Sequence, residues 1–484
     1  MELFFVRRRL AADAAVAGGP SGATVRQILD HRALPDGLPV LLDARMLPVE
    51  PICSWFRHLA YELLEPETLR CYAYIVRRLV VFLIERGSDV LSATETDLIA
   101  YRTARTEHQR QPVDDATWRR EAAVLNALFS WLVEQGRMRR RPFRVPRRGS
   151  PLGGAPRKEM QIRHLTLPQY QYWRDVGMGG HRPGAEVDPG FRGWAPHRHR
   201  AAVELALLTG MRKQEWSTLL LPELGEGWRR PADPVDLAVQ ACAKYRRRRV
   251  VYVPVAALRM QDVYLLLERP DLVRRSARAL ATRRADLFVV DRIDHEAGRV
   301  HGVLDGARRV FAMQAMGPAL RRITVRETDG GLEALAVFLG HGGLMLGPSS
   351  WDRIRLDAWR RTQRHAVDDP GAPVLPPRPW RFHDLRHTFC LQLLKYLTRV
   401  ALGRGARQES RLPSLPEHVA FNPLLVVQRR MGHASPSTTY LYLRYLEDPL
   451  NYVDEAFRQW AEHEDASYAD IATRALEAAD AAQG

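Results

Sequence analysis

His383-Asp384-Leu385-Arg386-His387-Thr388 and, further along, Met431-Gly432-His433-Ala434-Ser435-Pro436-Ser437-Thr438-Thr439-Tyr440-Leu441-Tyr442 are the two stretches around which this chain is organised. His383 and Arg386 are three residues apart, so on a helix they share one face and can address a single ligand. In the second stretch an unbroken helix would turn through about two and a half turns between His433 and Tyr442 and point them in opposite directions. The sequence breaks it: Gly432 reads as a helix stop, Ser435 as an N-cap and Pro436 as a first helical residue. The spacing therefore predicts a new helix carrying Tyr442 back toward His433, so that a phenol, two imidazoles and a guanidinium converge.

Upstream lies Leu208-Thr209-Gly210-Met211-Arg212-Lys213-Gln214-Glu215, followed by Ala243-Lys244-Tyr245 before an Arg- and Val-rich run to Pro254. In this order the set resembles the tyrosine recombinase (phage integrase) family: a first arginine motif at Arg212, a hairpin lysine at Lys244, His-x-x-Arg at His383 and Arg386, Gly-His at His433, and a tyrosine nine residues on at Tyr442. Singly these motifs are weak, since an arginine-rich chain with 16 histidines yields a His-x-x-Arg about twice by chance. The ordered set is specific. Tyr440 points about 200° away from Tyr442 on a helix, whereas Tyr445 shares its face and is a physical rival; the family spacing from His433 selects Tyr442.

The formal net charge of +16 points to a polyanionic partner, nucleic acid before membrane. Arginine-rich composition accounts for part of that charge: only Lys158, Lys213, Lys244 and Lys395 are lysines. A lysine kept in such a chain offers a titratable amine that arginine does not. Cys53, Cys71, Cys242 and Cys390 are scattered without metal-ligand spacing and read as reduced core residues. Leu3-Phe4-Phe5-Val6 is too short to span a bilayer, and no signal peptide is visible, so a cytoplasmic, nucleoid-associated protein is expected.

The pattern divides the chain into an N-terminal extension (1–48), a helical domain (49–142) that the resemblance makes the DNA-binding one, a basic linker (143–160), a second domain (161–452) with an enlarged segment at about 255–380, and a helical tail (453–484). In the first domain Leu69, Tyr72, Ile75, Val76, Leu79, Val80 and Leu83 recur at helical spacing up to Gly87, and Trp118, Val124, Leu125, Leu128, Phe129 and Leu132 do so before Gly136. Ser92-Ala93-Thr94-Glu95 is a capping-box candidate. Arg139, Arg140, Arg141, Arg144, Arg147 and Arg148, interspersed with Pro and Gly, cannot bury a core; they suit phosphate contact along a duplex, while a solvated hinge is the plainer alternative. Val235 to Ala243 and Val250 to Val255 read as strands around a basic turn that holds Lys244. Leu339-Gly340-His341 imitates the Gly-His motif, but Ser350 stands nine residues on, so it reads as part of an insertion. In the tail, Phe457 and Trp460 lie three apart on one helical face.

The resemblance implies a mainly α fold with a small β-sheet, in which a helical core-binding (SAM-like) domain precedes a mixed α+β catalytic domain. It implies strand cleavage and rejoining through a 3′-phosphotyrosine, without metal or other cofactor. Tyr442 is then the nucleophile, with Arg212, Arg386 and His433 on the phosphate, His383 near the phenol as proton acceptor or orienting base, and Lys244 as general acid. Glu215, one turn beyond Arg212, braces it or complements a helix N-terminus. The implied partners are double-stranded recombination sites, a homotetramer in the synaptic complex, and accessory DNA-bending or directionality proteins. A type IB topoisomerase uses similar chemistry on single sites, and a DNA-binding regulator that kept the fold is the alternative without catalysis.

Overall fold

The computed structural model describes residues 1–6, 22–32, 34–62, 66–108, 112–143, 162–183, 186–225, 232–405, 422–433 and 435–443. Arg144, Arg147, Arg148, Tyr445, Phe457 and Trp460 lie outside the described residues, as do most of the expected linker and the whole of the expected tail. The chain forms two compact units, residues 1–159 and 160–484. It is mainly helical with small sheets.

In the first unit, strands β1 (Glu2–Phe5) and β2 (Pro39–Leu42) pair antiparallel, and helices α1 (Gly22–His31), α2 (Ile52–Tyr61), α3 (Pro66–Glu85), α4 (Glu95–Thr103) and α5 (Asp115–Glu134) follow in order with β2 between α1 and α2. The apolar stripe of α3 and that of α5 meet in one core, where Val76, Leu79, Leu83, Leu125, Leu128 and Leu132 are fully enclosed. Leu38 and Leu41 are buried in the same core, so the described part of the N-terminal segment is packed into the helical unit and is not a free extension. Gly87 and Gly136 both take positive φ just past their helices, where only glycine stops a helix without strain. The expected capping box shifts: Thr94 is the N-cap and Asp97 closes the box, because the carboxylate three residues on can reach back to the Thr94 N–H at 3.0 Å. One buried polar cluster interrupts the core, with Glu121 held by Arg105 and by Arg78. An unpaired carboxylate there would be costly, so the two guanidiniums are what make its burial tolerable.

The second unit begins with α6 (Leu167–Tyr172), then α7 (Pro196–Thr209) and the short α8 (Lys213–Ser217). A hairpin follows, β3 (Val235–Val239) against β4 (Arg249–Val253). Next come α9 (Val255–Leu267) and α10 (Arg269–Thr282). The enlarged segment then builds a five-stranded sheet: β5 (Phe288–Asp294), β6 (Arg299–Leu304), β7 (Ala307–Ala312), β8 (Thr324–Thr328) and β9 (Gly331–Ala334), in the order β7-β6-β5-β8-β9. The β5–β8 pair is parallel and the others antiparallel; α11 (Pro318–Arg322) lies in the connection that reaches β8. Helices α12 (Pro348–Asp368), α13 (Phe382–Gly405), α14 (Pro423–Met431) and α15 (Pro436–Tyr440) complete the described chain.

Trp216, Phe338, Trp351 and Phe382 pack edge to face at ring separations of 4.9–6.1 Å. They join α8, α12, α13 and the segment after β9 into one block. Such pairs add to the area term of the hydrophobic core and fix ring orientation. The block stands directly behind Glu215 and His383, the sequence neighbours of two of its rings.

Candidate active site

Four short structural devices bring the motif residues together. Gly210 ends α7 with φ +62°, and a Cβ there would lie 2.4 Å from the Phe389 ring of α13, so glycine is required both for the turn and for the close approach. Arg212 follows as the N-cap of α8, where the Glu215 carboxylate accepts its backbone N–H at 2.8 Å and one of its guanidinium N–H groups at 3.3 Å. Gly432 ends α14 at φ +60°, and its own N–H and that of His433 return to the carbonyls of Arg429 and Gln428. Ser435 then caps α15, accepting from the Ser437 N–H, with Pro436 at the first helical position.

Tyr442 is placed differently from the expectation. Helix α15 stops at Tyr440, and Tyr442 sits in the turn after it, its N–H bonded to the Thr439 carbonyl. The turn buries the side chain to 2 % exposure and leaves Tyr440 53 % exposed, so of the two only Tyr442 enters the site. Its ring stacks on His433 at 6.1 Å, and His433 Nδ1 is fixed by the Thr439 hydroxyl at 2.9 Å.

The hydroxyl of Tyr442 shares a 2.6 Å hydrogen bond with Nδ1 of His387, not with His383. His383 stands edge-on to His387 at 4.6 Å and is exposed on its outer side. His387 was missed because Arg386 drew the reading to the three-residue spacing. The signal was present, since His387 is four residues from His383 and falls on the same helical face. The buried Cys390 thiol, one turn further along α13, also meets the Tyr442 hydroxyl.

Arg386 is buried and donates to the carbonyls of Gly210 and Met431, which clamps the two glycine turns to α13. Arg249, the first residue of β4, is a second residue that the motifs did not mark: it donates to Glu215 at 2.5 Å and to the Arg430 carbonyl at 3.1 Å. Glu215 is thus enclosed between two arginines and, among the described residues, is the only carboxylate paired with them. Lys244 opens the short 3-10 turn of the β3–β4 hairpin and is exposed. Its charge is among those felt by His383. Arg139, Arg140 and Arg141 are exposed in the first unit, with Arg141 bonded to Asn126 at 3.3 Å.

The electrostatics follow from this crowding. Desolvation, then the neighbouring charges of Arg386, Arg212 and Lys244, push His383 down to about 4; desolvation with Arg386, Arg212 and Arg249 does the same to His433. Burial and the adjacent imidazoles and arginine take His387 to about 3. Burial and Arg212 bring even Arg386 down to about 9, and burial with the nearby Cys390 raises the Tyr442 phenol above its ordinary value. Every one of these shifts disfavours charge in the absence of an anion. The resting site therefore holds a neutral phenol against a neutral imidazole. Among the described residues no group of three or more His, Cys, Asp or Glu side chains is arranged to hold a metal ion, and no helix is long and apolar enough to cross a membrane.

The family model described as phage integrase, N-terminal SAM-like domain, matches residues 52–136, which are α2 to α5 and the turn after them. No curated protein matches the chain. Solved structures similar to it include the XerH site-specific recombinase bound to palindromic difH substrate in a post-cleavage complex, at 13 % identity and TM-score 0.45, covering 94 % of this chain and 93 % of that one. The Tn1549 transposon integrase in complex with a circular intermediate DNA is 13 % identical with TM-score 0.43, covering 84 % and 97 %. The XerA recombinase is 14 % identical with TM-score 0.29, covering 85 % and 96 %. Over residues 52–136 this chain is similar to the N-terminal SAM-like domain of the phage integrases.

Proposed function

We propose that the chain is a site-specific DNA recombinase that cleaves and rejoins strands through a 3′-phosphotyrosine at Tyr442, in the integration, excision or transposition of a mobile element. The observation that carries the reading is the buried Tyr442 hydroxyl held at 2.6 Å by His387, beside the buried Arg386, whose guanidinium donates to the Gly210 and Met431 carbonyls and makes no ion pair among the described residues. A phosphodiester is resistant and a phenol at neutral pH is a poor nucleophile, so the protein must position the attack and neutralise the pentavalent transition state. Arg212, Arg386 and His433 supply donors for the nonbridging oxygens. His387 takes over from His383 the part of orienting the phenol, and His383 stands beside it.

The phenol with its pKa raised and the imidazole with its pKa lowered form a resting pair. Proton transfer between them is uphill in the resting site, and a bound phosphate eases it at the imidazole, where its negative charge favours the protonated ring against the neighbouring Arg386. Lys244 is the general acid for the leaving 5′ oxygen, a task for which arginine holds its proton too tightly. The bond energy is kept in the phosphotyrosine, so rejoining needs no nucleotide cofactor. Double-stranded recombination sites are the substrate, four protomers make up the synaptic complex, and DNA-bending or directionality proteins are its accessory partners.

The test is a nicked suicide substrate carrying candidate element ends, incubated with the full chain. The wild type and Tyr440→Phe should form a covalent adduct that maps to Tyr442, while Tyr442→Phe should bind DNA within a few fold of wild type and form none. An adduct that persists in Tyr442→Phe overturns the assignment.

A further inference from the structure

The Leu339-Gly340-His341 segment lines a cavity of about 1040 Å³ in the second unit. The cavity lies near the N-terminal end of α7, roughly 18 Å along that helix from Gly210 and the catalytic arginine. Its lining is strongly one-signed: six arginines contribute, four of them exposed (Arg192, Arg283, Arg353, Arg364), against one carboxylate, Asp357, which is paired with Arg360.

Arg198 is the informative member. It is 2 % exposed, and its terminal nitrogens bond the Leu339 carbonyl and the His199 ring, both uncharged, while its Nε is buried without a partner. Among the described residues no carboxylate pairs with Arg198, Arg192, Arg353 or Arg364. Burying a guanidinium without a counter-charge is costly, and burial here lowers its proton affinity to about 10. Glu268, which accepts the Arg198 backbone N–H, offsets part of this charge from a distance, but the guanidinium itself makes no ion pair among the described residues. The 21-residue helix α12 begins at the rim, with Gly347, Ser349 and Ser350 in the lining, and adds the positive end of its dipole.

The opposite wall is apolar and aromatic. Trp194 has Arg198 4.7 Å from its ring centre and His341 stacked at 3.4 Å; Phe191, Leu346 and Ile354 are further apolar members of the lining. A cavity of this size matches pockets that enclose whole drug-sized molecules, so a lone phosphate would leave most of it empty.

We infer that this cavity is a second ligand site, separate from the DNA-cleaving centre, for a small phosphorylated molecule with a flat or apolar body, of which a nucleotide is representative. The phosphate is received by Arg192 and Arg353 at the α12 N-terminus, over the buried charge of Arg198, and the body lies against Trp194 and His341.

The test is equilibrium binding of radiolabelled ATP, without magnesium, to the full chain at fixed ionic strength, with pyrophosphate as competitor. Saturable one-to-one binding is expected. The double variant Arg192→Ala/Arg353→Ala, whose residues are exposed and lie outside the core, should weaken ATP at least tenfold while keeping the wild-type circular dichroism spectrum. Trp194→Ala should weaken ATP but leave pyrophosphate unchanged. Arg212→Gln, which alters the catalytic phosphate site, should leave ATP binding intact, so the outcome does not depend on the recombinase reading. Absence of saturable binding, or binding lost in Arg212→Gln and retained in the double variant, overturns the proposal.

Discussion

Glu215→Gln is the substitution whose cost the structure specifies best. Glutamine keeps the shape and can still accept the Arg212 N–H, so the α8 cap survives and only the charge is removed. That charge is fully buried and offsets Arg249, whose side chain is 10 % exposed, and Arg212, which is 25 % exposed. Removing one partner of a buried pair costs about 3–5 kcal/mol, because the other charge stays behind. Arg212 is wet enough to recover part of its hydration, so most of the loss comes from Arg249, and about 3 kcal/mol is expected. The assay is urea unfolding of the full chain at pH 7, followed by tryptophan fluorescence, with the transition of the second unit read separately from that of the first.

The decisive variant is Glu215→Gln/Arg249→Met. Deleting the stranded guanidinium together with its partner should recover a large part of the loss and give a coupling energy of about 1–3 kcal/mol. A single variant within 1 kcal/mol of wild type, or strict additivity in the double variant, would refute the view that Glu215 is held as the counter-charge of the arginines.

Further outcomes follow from the same geometry. Lys244→Arg should keep DNA binding and lose cleavage, and a substrate with a 5′ bridging sulfur, whose leaving group needs no proton, should restore it; without restoration Lys244 is a surface residue of the hairpin turn. Replacing Arg139, Arg140 and Arg141 together by Ala should weaken DNA binding across sequences and flatten its salt dependence, while an unchanged slope assigns the segment to a solvated hinge. For pH, the folded pKa values of His383, His387 and His433 lie below the unfolded value of about 6.5, at about 4, 3 and 4. The unfolded chain binds these protons first, so their contribution is full above about 6.5 and is lost as pH falls toward 4 and below. Unfolding midpoints measured from pH 7 to 4 should decline, and His387→Asn should make the decline shallower; an unaltered slope in that variant would contradict the burial argument.

The legible parts of this chain were the local ones. Gly432, Ser435 and Pro436 carry their helix stop and start in their own backbone preferences, and Gly210 does likewise, so both turns could be read without a structure. Arg249 could not. It is the last of four successive arginines, and which of them turns inward depends on the β3–β4 register, where Arg249 pairs with Val239. Placing Tyr442 on its helix also failed, because helical spacing says nothing of where a five-residue helix gives out. The sheet of the enlarged segment was obscured by strands such as Ala307–Ala312, whose arginines and exposure hide the alternation that marks a half-buried strand.

The clamp made by Arg386 has a consequence for the order in which the site comes into being. Its two carbonyl partners, at Gly210 and Met431, are far apart in sequence, and Tyr442 comes after every other residue of the cluster. During synthesis the groups that receive a phosphate emerge first and the attacking phenol last. If Tyr442 is the nucleophile proposed above, a product that terminates before it keeps Arg212, Arg386 and His433 but lacks the attacking group. On the proposed mechanism an incomplete chain would therefore open no strand that it could not close.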